Sequence, residues 1–522
     1  MRARFLLATG LALALPLLSF TSQALLRAAA PAQLAPAEAG TCAALAQMRL
    51  SGGAVTAANA VAPGAFVPPT PANAAAAKRF AALPAFCRVQ ATLTPTTDSD
   101  IRIEVWLPAS GWNGRFQGVG GRALGGIIVY PAMAEALAAG YATASTDTGH
   151  VGAGGAFGLG HPEKVIDHGH RAVHEMTVAA KAIVAGFYAR PAQRAYFNGC
   201  SLGGRQGLAE AQRYPLDYDG IVAGDIAHNI RDLYASRLAQ HQFAHRSAQS
   251  SLDAAALRTL NAGAVAACDR ADGLEDGVID RPQQCRFDPG TLTCGVAGAG
   301  TKCLTPEQVD TARFIYRPVI RPDERGVVSN GLMPGSEAGW GAILGNEPER
   351  NSVEVYRYLV FKDPQWDWRT FSLTTALDAT PSSQLREIDA TNPDLTAFFR
   401  RGGKLLLTHG WADPQTPPLN GVDYYTRTKA AVGNAAADAS LRLFMVPGMG
   451  HCEGGVGTDT FDAMEPLSQW VERGVAPERF EARRVVDGAV VRTRPLCAYP
   501  NVARWNGTGD SNAAANFSCV AP

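Results

Sequence analysis

Gly199-Cys200-Ser201-Leu202-Gly203 sets a serine between glycines two positions away on either side, the pattern of a nucleophile on a sharp strand-to-helix turn. The apolar run Ala195-Tyr196-Phe197 precedes it and helix-like sequence follows, which is the context that pattern requires. A serine hydroxyl is a poor nucleophile at neutral pH. Attack on a carbonyl carbon therefore needs a base to take the proton and a carboxylate to orient that base. Two later segments supply both. Leu405 to Asp413 reads as a strand running into a turn that carries Asp413, and Phe444 to His451 reads as the matching strand and loop that carry His451. The chain order serine, aspartate, histidine is the one an α/β-hydrolase core demands. His409 is the rival base, but with Asp413 only four residues on, a single loop would have to supply both groups. His451 is therefore assigned as base and His409 as a residue of the pocket wall or of the layer that supports it.

Acyl transfer also needs two backbone N–H groups aimed at the developing oxyanion. Leu202 is expected to give one, and the loop Gly120-Gly121-Arg122-Ala123-Leu124-Gly125-Gly126 the other, from either Ala123 or Gly121. Cys200 precedes the serine and Cys452 follows the histidine, so a bridge between them would tether elbow and histidine loop across about 250 residues of chain. Ten cysteines, an even number, point to an oxidising compartment. Spacing favours Cys268 with Cys285, Cys294 with Cys303 and Cys497 with Cys519, although spacing alone does not fix connectivity. Arg2 and Arg4, an apolar stretch from Phe5 to Leu18 and the small-x-small site Ser22-Gln23-Ala24 form a signal peptide, residues 1–24. No second long apolar run follows, so no membrane span is expected in the mature chain.

A second cluster lies at Cys268 to Asp280. Asp269, Asp272 and Asp276, with Gly273 and Gly277 at the turns, suit a hard cation that takes six to eight oxygens, which makes calcium the expected ion rather than zinc. His161, His168, His170 and His174 lack ligand spacing and are expected at the surface.

These groups need a scaffold. At 522 residues the chain exceeds one ordinary core, and 47 basic residues balance 47 acidic ones, so nothing argues for nucleic acid. Ala and Pro dominate up to about Pro71, a segment expected to wrap the surface. Alternation from Ile101 to Leu107, short apolar runs at Arg115–Val119 and Tyr141–Ser145, and a helix from Val173 to Tyr188 leading into Ala195 give strand, helix, strand, hence a parallel sheet. The rhythm returns at Lys404–Thr408 and Leu441–Val446, followed by a helix from about Thr460 to Arg473. Between them it disappears. The expected architecture is thus an α/β-hydrolase core in two parts, 25–225 and 392–522, with a lid domain inserted at 226–391. Trp340, Trp366 and Trp368 of that insertion are candidates for an acyl pocket and equally for the packed core of the insertion.

Cys200-Ser201, Gly203-Gly204-Arg205-Gln206, Asp413 and His451-Cys452, taken together, resemble the tannase and feruloyl esterase family over most of the mature chain. The resemblance implies secreted hydrolysis of small aromatic carboxylic esters under a lid that carries a structural calcium. It implies that Asp269, Asp272 and Asp276 bind the ion through carboxylates and Leu274 and Val278 through backbone carbonyls, and that Cys42 pairs with Cys87. One branch of the family holds a substrate carboxylate with a lid arginine followed by a Phe-Ser pair. The corresponding stretch here is Glu349-Arg350-Asn351-Ser352-Val353, so Arg350 keeps the charge without the aromatic ring, and Gln415-Thr416 stand where a phenylalanine is expected. The rival readings are a general lipase or peptidase of the same fold and a catalytically silent calcium-dependent binding module.

Overall fold

The protein is described here from a computed structural model covering residues 40–522 apart from 72, 297–301, 325 and 381–383. The expected leader, 1–24, lies outside the described residues. Among them no helix is long and apolar enough to cross a membrane.

Strand structure starts earlier than the sequence suggests. β1 (Arg49–Leu50), β2 (Gly53–Val61), β3 (Phe86–Leu93) and β4 (Ile101–Pro108) form an antiparallel meander. β2 corrects the expectation that the Ala- and Pro-rich segment only wraps the surface. Its Ala, Thr and Asn residues carry a weak strand pattern, and pairing with the apolar β3 decides the outcome. A disulfide from Cys42 to Cys87 pins the segment to β3.

The chain then winds in parallel. β5 (Arg115–Val119) and β6 (Ala142–Thr146) are followed by α1 (Ala172–Tyr188), whose Val173, Met176, Ala180, Ile183 and Val184 pack on the sheet, and then β7 (Arg194–Cys200). α2 (Leu202–Arg213) leads to β8 (Gly220–Gly224), a short strand bounded by glycines that periodicity does not reveal. Residues 225–403 separate β8 from its parallel neighbour β11 (Lys404–Gly410), so the whole stretch is one insertion between adjacent strands. Within it α3 (Ile230–Ala244), α4 (Ala254–Cys268) and α5 (Pro306–Tyr316) frame two apolar clusters, and β9 (Val319–Ile320) and β10 (Val327–Ser329) form a ribbon. After β11 come α6 (Pro418–Val432) and β12 (Leu441–Val446).

The expected helix from Thr460 begins later. β13 (Thr460–Phe461) pairs with β14 (Arg479–Val486), and α7 (Met464–Arg473) starts where Asp462 Oδ1 accepts the N–H groups of Met464 and Glu465. β15 (Ala489–Cys497) completes that small sheet. β16 (Val502–Trp505) and β17 (Phe517–Val520) close the chain with the Cys497–Cys519 bridge.

The ten-stranded sheet runs in the order 1-2-3-4-6-5-7-8-11-12, with β6, β5, β7, β8, β11 and β12 parallel. This is the α/β-hydrolase fold. Its register is what matters for function. Cys200 stands opposite Gly224, Gly224 opposite Thr408, and Gly410 opposite Val446, so the carboxyl ends of four neighbouring strands are level. Residues just beyond them converge, the place where open α/β sheets gather their ligands.

Candidate active site

Ser201 follows β7 directly and precedes α2, with φ 62° and ψ −117°. A non-glycine residue there stores about 1–3 kcal/mol of strain. The surroundings enforce it: Ser201 N–H donates to Gly224 O at 2.9 Å, and the N–H of Arg205 donates back to Ser201 O at 3.0 Å. Close backbone approach explains the glycines, since a Cβ on Gly199 would stand 2.6 Å from the carbonyl carbon of Gly203 and one on Gly120 would stand 2.5 Å from Gly203 Cα. The rest of the motif locks neighbours. Arg205 is fully buried and donates to the carbonyls of His168, Gly169 and Ile388, and Gln206 Oε1 accepts the N–H of Gly121 at 2.8 Å.

His451 Nδ1 lies 2.7 Å from Asp413 Oδ2. Asp413 is fully buried, and its other oxygen accepts N–H groups from Gln415 at 2.7 Å and Thr416 at 2.9 Å. Burial alone would raise its pKa. The charge of His451 and hydrogen bonds from His409 and His451 outweigh that and hold the carboxyl below the usual range. For His451 the signs reverse: burial pushes the imidazole down, while Asp413 overrides it and holds the ring above the ordinary 6.5. His409 does not line the cleft, which corrects the pocket-wall expectation in favour of the supporting layer. It is buried, donates from Nε2 to Thr416 O at 2.9 Å and sits 3.5 Å from Asp413 Oδ2, behind the carboxylate. The disulfide Cys200–Cys452 joins the residue before Ser201 to the residue after His451.

Asp225 belongs to this group and sequence reasoning did not single it out. It follows β8, adopts φ 37°, and accepts the N–H of Gly410 at 2.8 Å on Oδ1 and that of Cys452 at 3.2 Å on Oδ2. Oxygens of Asp225 and Asp413 and a nitrogen of His451 all lie within 4.8 Å of one another. Burial pushes Asp225 up to about 6, against the pull of His409 and with the help of Asp413. The available signal was its position one residue beyond a strand whose neighbours carry Ser201 and Asp413.

Ser201, His451 and the Gly-rich loop line one cleft of ≈ 510 Å³. That loop is held from below, where the Thr148 hydroxyl donates to Gly125 O and His150 Nε2 to Leu124 O. Of the two oxyanion candidates, Gly121 has its N–H committed to Gln206. Ala123, at φ 50° and exposed in the cleft, has no acceptor for its N–H among the described residues.

Arg350 is placed differently from expectation. Its guanidinium pairs with Glu354 at 2.5 Å and donates to Ala153 O, it is exposed, and it does not line the cleft. The turn at 350 points it outward while Glu349 and Asn351 face in. The cation buried in the cleft is Arg237 of α3, paired with Glu349 at 2.5 Å and donating to Gln415 O. The tryptophans take the core-packing place rather than the pocket one. Trp340 is fully buried and donates to Ser336 Oγ, Trp366 packs against Tyr356 and Phe361, and Trp368 lies over His241 and Arg369; none lines the cleft, because each completes a cluster of the insertion itself.

The acidic loop is tightly turned. Asp269 accepts N–H groups from Asp276 and Gly277, Asp272 from Leu274, and Asp276 from Val278, while Arg494 of β15 reaches Asp276 Oδ2 at 2.6 Å. Burial, then the neighbouring Asp272 and Asp276, push Asp280 well above the carboxylate range. Hard oxygen donors of this kind are what a divalent cation takes, but among the described residues no three of these carboxylates bring an oxygen each within 4.8 Å of one another. The expected surface placement of four histidines holds for His161. It fails for the buried His168, near the Thr148 hydroxyl, and for the largely buried His170, paired with Tyr214, because the π-turn at Asp167–Arg171 rotates them under the insertion; His174 pairs with Asp217.

Comparison with known proteins places this geometry. The profile of the tannase and feruloyl esterase family matches residues 87–520. The chain is 35% identical to an uncharacterized esterase of Xanthomonas campestris, over 84% of this chain and 85% of that one. It is 34% identical to mono(2-hydroxyethyl) terephthalate hydrolase of Piscinibacter sakaiensis, over 87% of each. Feruloyl esterase B of Aspergillus oryzae superposes with a TM-score of 0.85 at 29% identity, over 92% of this chain and 100% of that one. The elbow, the level strand ends and these relationships agree: the chain belongs to the tannase and feruloyl esterase family and is a carboxylic ester hydrolase.

Proposed function

We propose that this chain is an exported serine esterase that hydrolyses aromatic carboxylic esters through an acyl-enzyme on Ser201. The observation that carries the reading is the 2.7 Å contact of His451 with the buried Asp413, on a loop bridged by disulfide to the residue before Ser201. Ser201 Oγ attacks the ester carbonyl while His451 takes its proton, and Asp413 holds the imidazole tautomer and stabilises the imidazolium. The N–H groups of Leu202 and Ala123 receive the oxyanion. His451 returns the proton to the leaving alcohol, and water then releases the acid by the same steps in reverse. The insertion acts as a lid. The leader and the five bridges support an oxidising, extracytoplasmic setting.

The charge of the cleft favours one acyl class among those named by the relatives. Arg237, its buried cation, is already matched by Glu349, and Arg122 stands exposed at the rim. A ring bearing hydroxyl groups can hydrogen-bond to the Arg237, Glu349 and Asn351 cluster without disturbing the charge balance. A terephthaloyl carboxylate would meet Glu349. Initial rates of the purified protein and of Ser201→Ala on methyl ferulate, methyl gallate and mono(2-hydroxyethyl) terephthalate test this. Turnover that depends on Ser201 is expected, with kcat/KM for the better phenolic ester at least about 10-fold above the terephthalate monoester, the scale of one mismatched buried charge. Absence of Ser201-dependent turnover on all three would overturn the reading.

Asp269, Asp272 and Asp276, with the carbonyls of Leu274 and Val278, would hold a calcium ion whose contribution is structural. The loop is positioned to matter, since Val278 packs against Gly448 in the loop that carries His451 and Arg492 and Arg494 reach Asp276 from β15. Stripping with EGTA is expected to lower the melting temperature by about 5 °C, since an ion at 100-fold its Kd gives about 2.7 kcal/mol and each kcal/mol moves a large chain by about 2 °C. Calcium should restore it. A melting curve unchanged by chelation would remove the ion from the account.

A further inference from the structure

Next to the Ser201 cleft lies a second cavity of ≈ 340 Å³. His451 and Gln415 line both, so the two are contiguous at the general base. Ser201 and the Gly-rich loop line only the first. An acyl group bonded to Ser201 with its oxyanion at that loop must occupy the first cavity, whereas the departing alcohol must lie where His451 can protonate it.

We propose that the second cavity receives the alcohol moiety of the ester, and that it selects an uncharged, apolar alcohol; this rests on the esterase reading above. Its walls are Val265, Ile279, Pro334, Trp411, Pro414 and Val456, and no charged side chain other than His451 lines it. Of the polar side chains at its edge two are already engaged, Asn261 Nδ2 donating to Glu337 at 2.7 Å and Ser336 Oγ donating to Met333 O while accepting Trp340 Nε1; beside His451 this leaves the Gln415 amide, at the border with the first cavity, without a side-chain partner among the described residues. A polyhydroxylated or anionic alcohol would therefore find few partners and lose its hydration there. An alkyl or aryl group would bury apolar surface against proline and tryptophan. The volume suits a group of ring size. Gly339, Pro414 and Gln415 place the cavity between the insertion and the loop of Asp413, so residues from both sides set its shape.

The test compares methyl and butyl ferulate on the full chain, with the methyl and butyl gallate pair as the second acyl series. A butyl-to-methyl ratio of kcat/KM of at least about 10, from roughly fourfold per buried CH₂, is expected in whichever series turns over. Two independent variants then locate the preference. Val265→Phe fills the cavity and Val456→Asp charges its rim, where Val456 is 51% exposed, and each should bring the ratio to about 1–3, within one CH₂ of no selection. A ratio near one in the unmodified protein, or a high ratio that both variants keep, overturns this proposal while leaving Ser201-dependent hydrolysis intact. No turnover of any ester overturns it together with the esterase reading.

Discussion

Asp413→Asn should lower kcat by about 10⁴-fold while leaving the protein folded, the scale seen when the carboxylate behind a catalytic histidine is neutralised. The asparagine keeps the size of the side chain and can still accept the N–H groups of Gln415 and Thr416, so the loop has no reason to move. What it loses is charge. Without the carboxylate, Nδ1 of His451 is no longer held as the donor and the imidazolium formed during attack has no buried counter-charge. The pH dependence carries a second signature. Asp413 is what holds His451 above 6.5 against the downward push of burial, and the base works only when unprotonated. Its removal should therefore shift the rising limb of kcat/KM to lower pH. Asp225→Asn is the control within the same cluster. Asp225 holds the backbone of Gly410 and Cys452 rather than the ring of His451, so its loss should cost at most about 10²-fold, the scale of a small misplacement.

Opening the Cys200–Cys452 bridge has the largest expected effect on stability. It spans 252 residues, which in the chain-entropy account is worth about 5 kcal/mol less any strain. A Cys200→Ser, Cys452→Ser double variant should melt about 10 °C lower, at about 2 °C per kcal/mol for a large chain. Its kcat should also fall well below its melting transition, because the bridge sets the distance between the elbow and the histidine loop. The Cys497→Ser, Cys519→Ser variant separates the two effects. That bridge closes only 22 residues at the end of the chain, so stability should fall by less and kcat at low temperature should hold. Equal loss of kcat in both variants would assign the Cys200–Cys452 bridge a purely global role.

The three side chains proposed to react could be singled out in the sequence because each lies just beyond an apolar strand, where chain order and local residue type suffice. Ser201 is marked by its glycines, His451 by Cys452, and Asp413 by the strand Lys404–Gly410. Spacing favoured three of the bridges, adjacency to Ser201 and His451 pointed to a fourth, and the family resemblance implied Cys42 with Cys87; all five are present. What sequence reasoning missed depends on partners far along the chain. β2 is strand because β3 is beside it, and Asp225 matters because Gly410 and Cys452 come to it from 185 and 227 residues away. The same reason explains Arg350 and Arg237. Correspondence with the family's lid arginine favoured Arg350, but a helix-start turn sends alternate side chains to opposite sides, and the arginine that reaches the cleft comes from α3, 112 residues earlier than Glu349. The tryptophans of the insertion followed composition, and a segment with two apolar clusters of its own had to spend them there.

The most direct test of the account is capture of the acyl-enzyme. The purified protein, mixed with methyl ferulate or methyl gallate and acid-quenched in the first turnovers, should show by intact-mass and peptide analysis an added acyl group on the peptide that contains Ser201. Ser201→Ala should show none. An acyl adduct on another residue, or undiminished turnover by Ser201→Ala, would contradict the assignment of Ser201 as nucleophile.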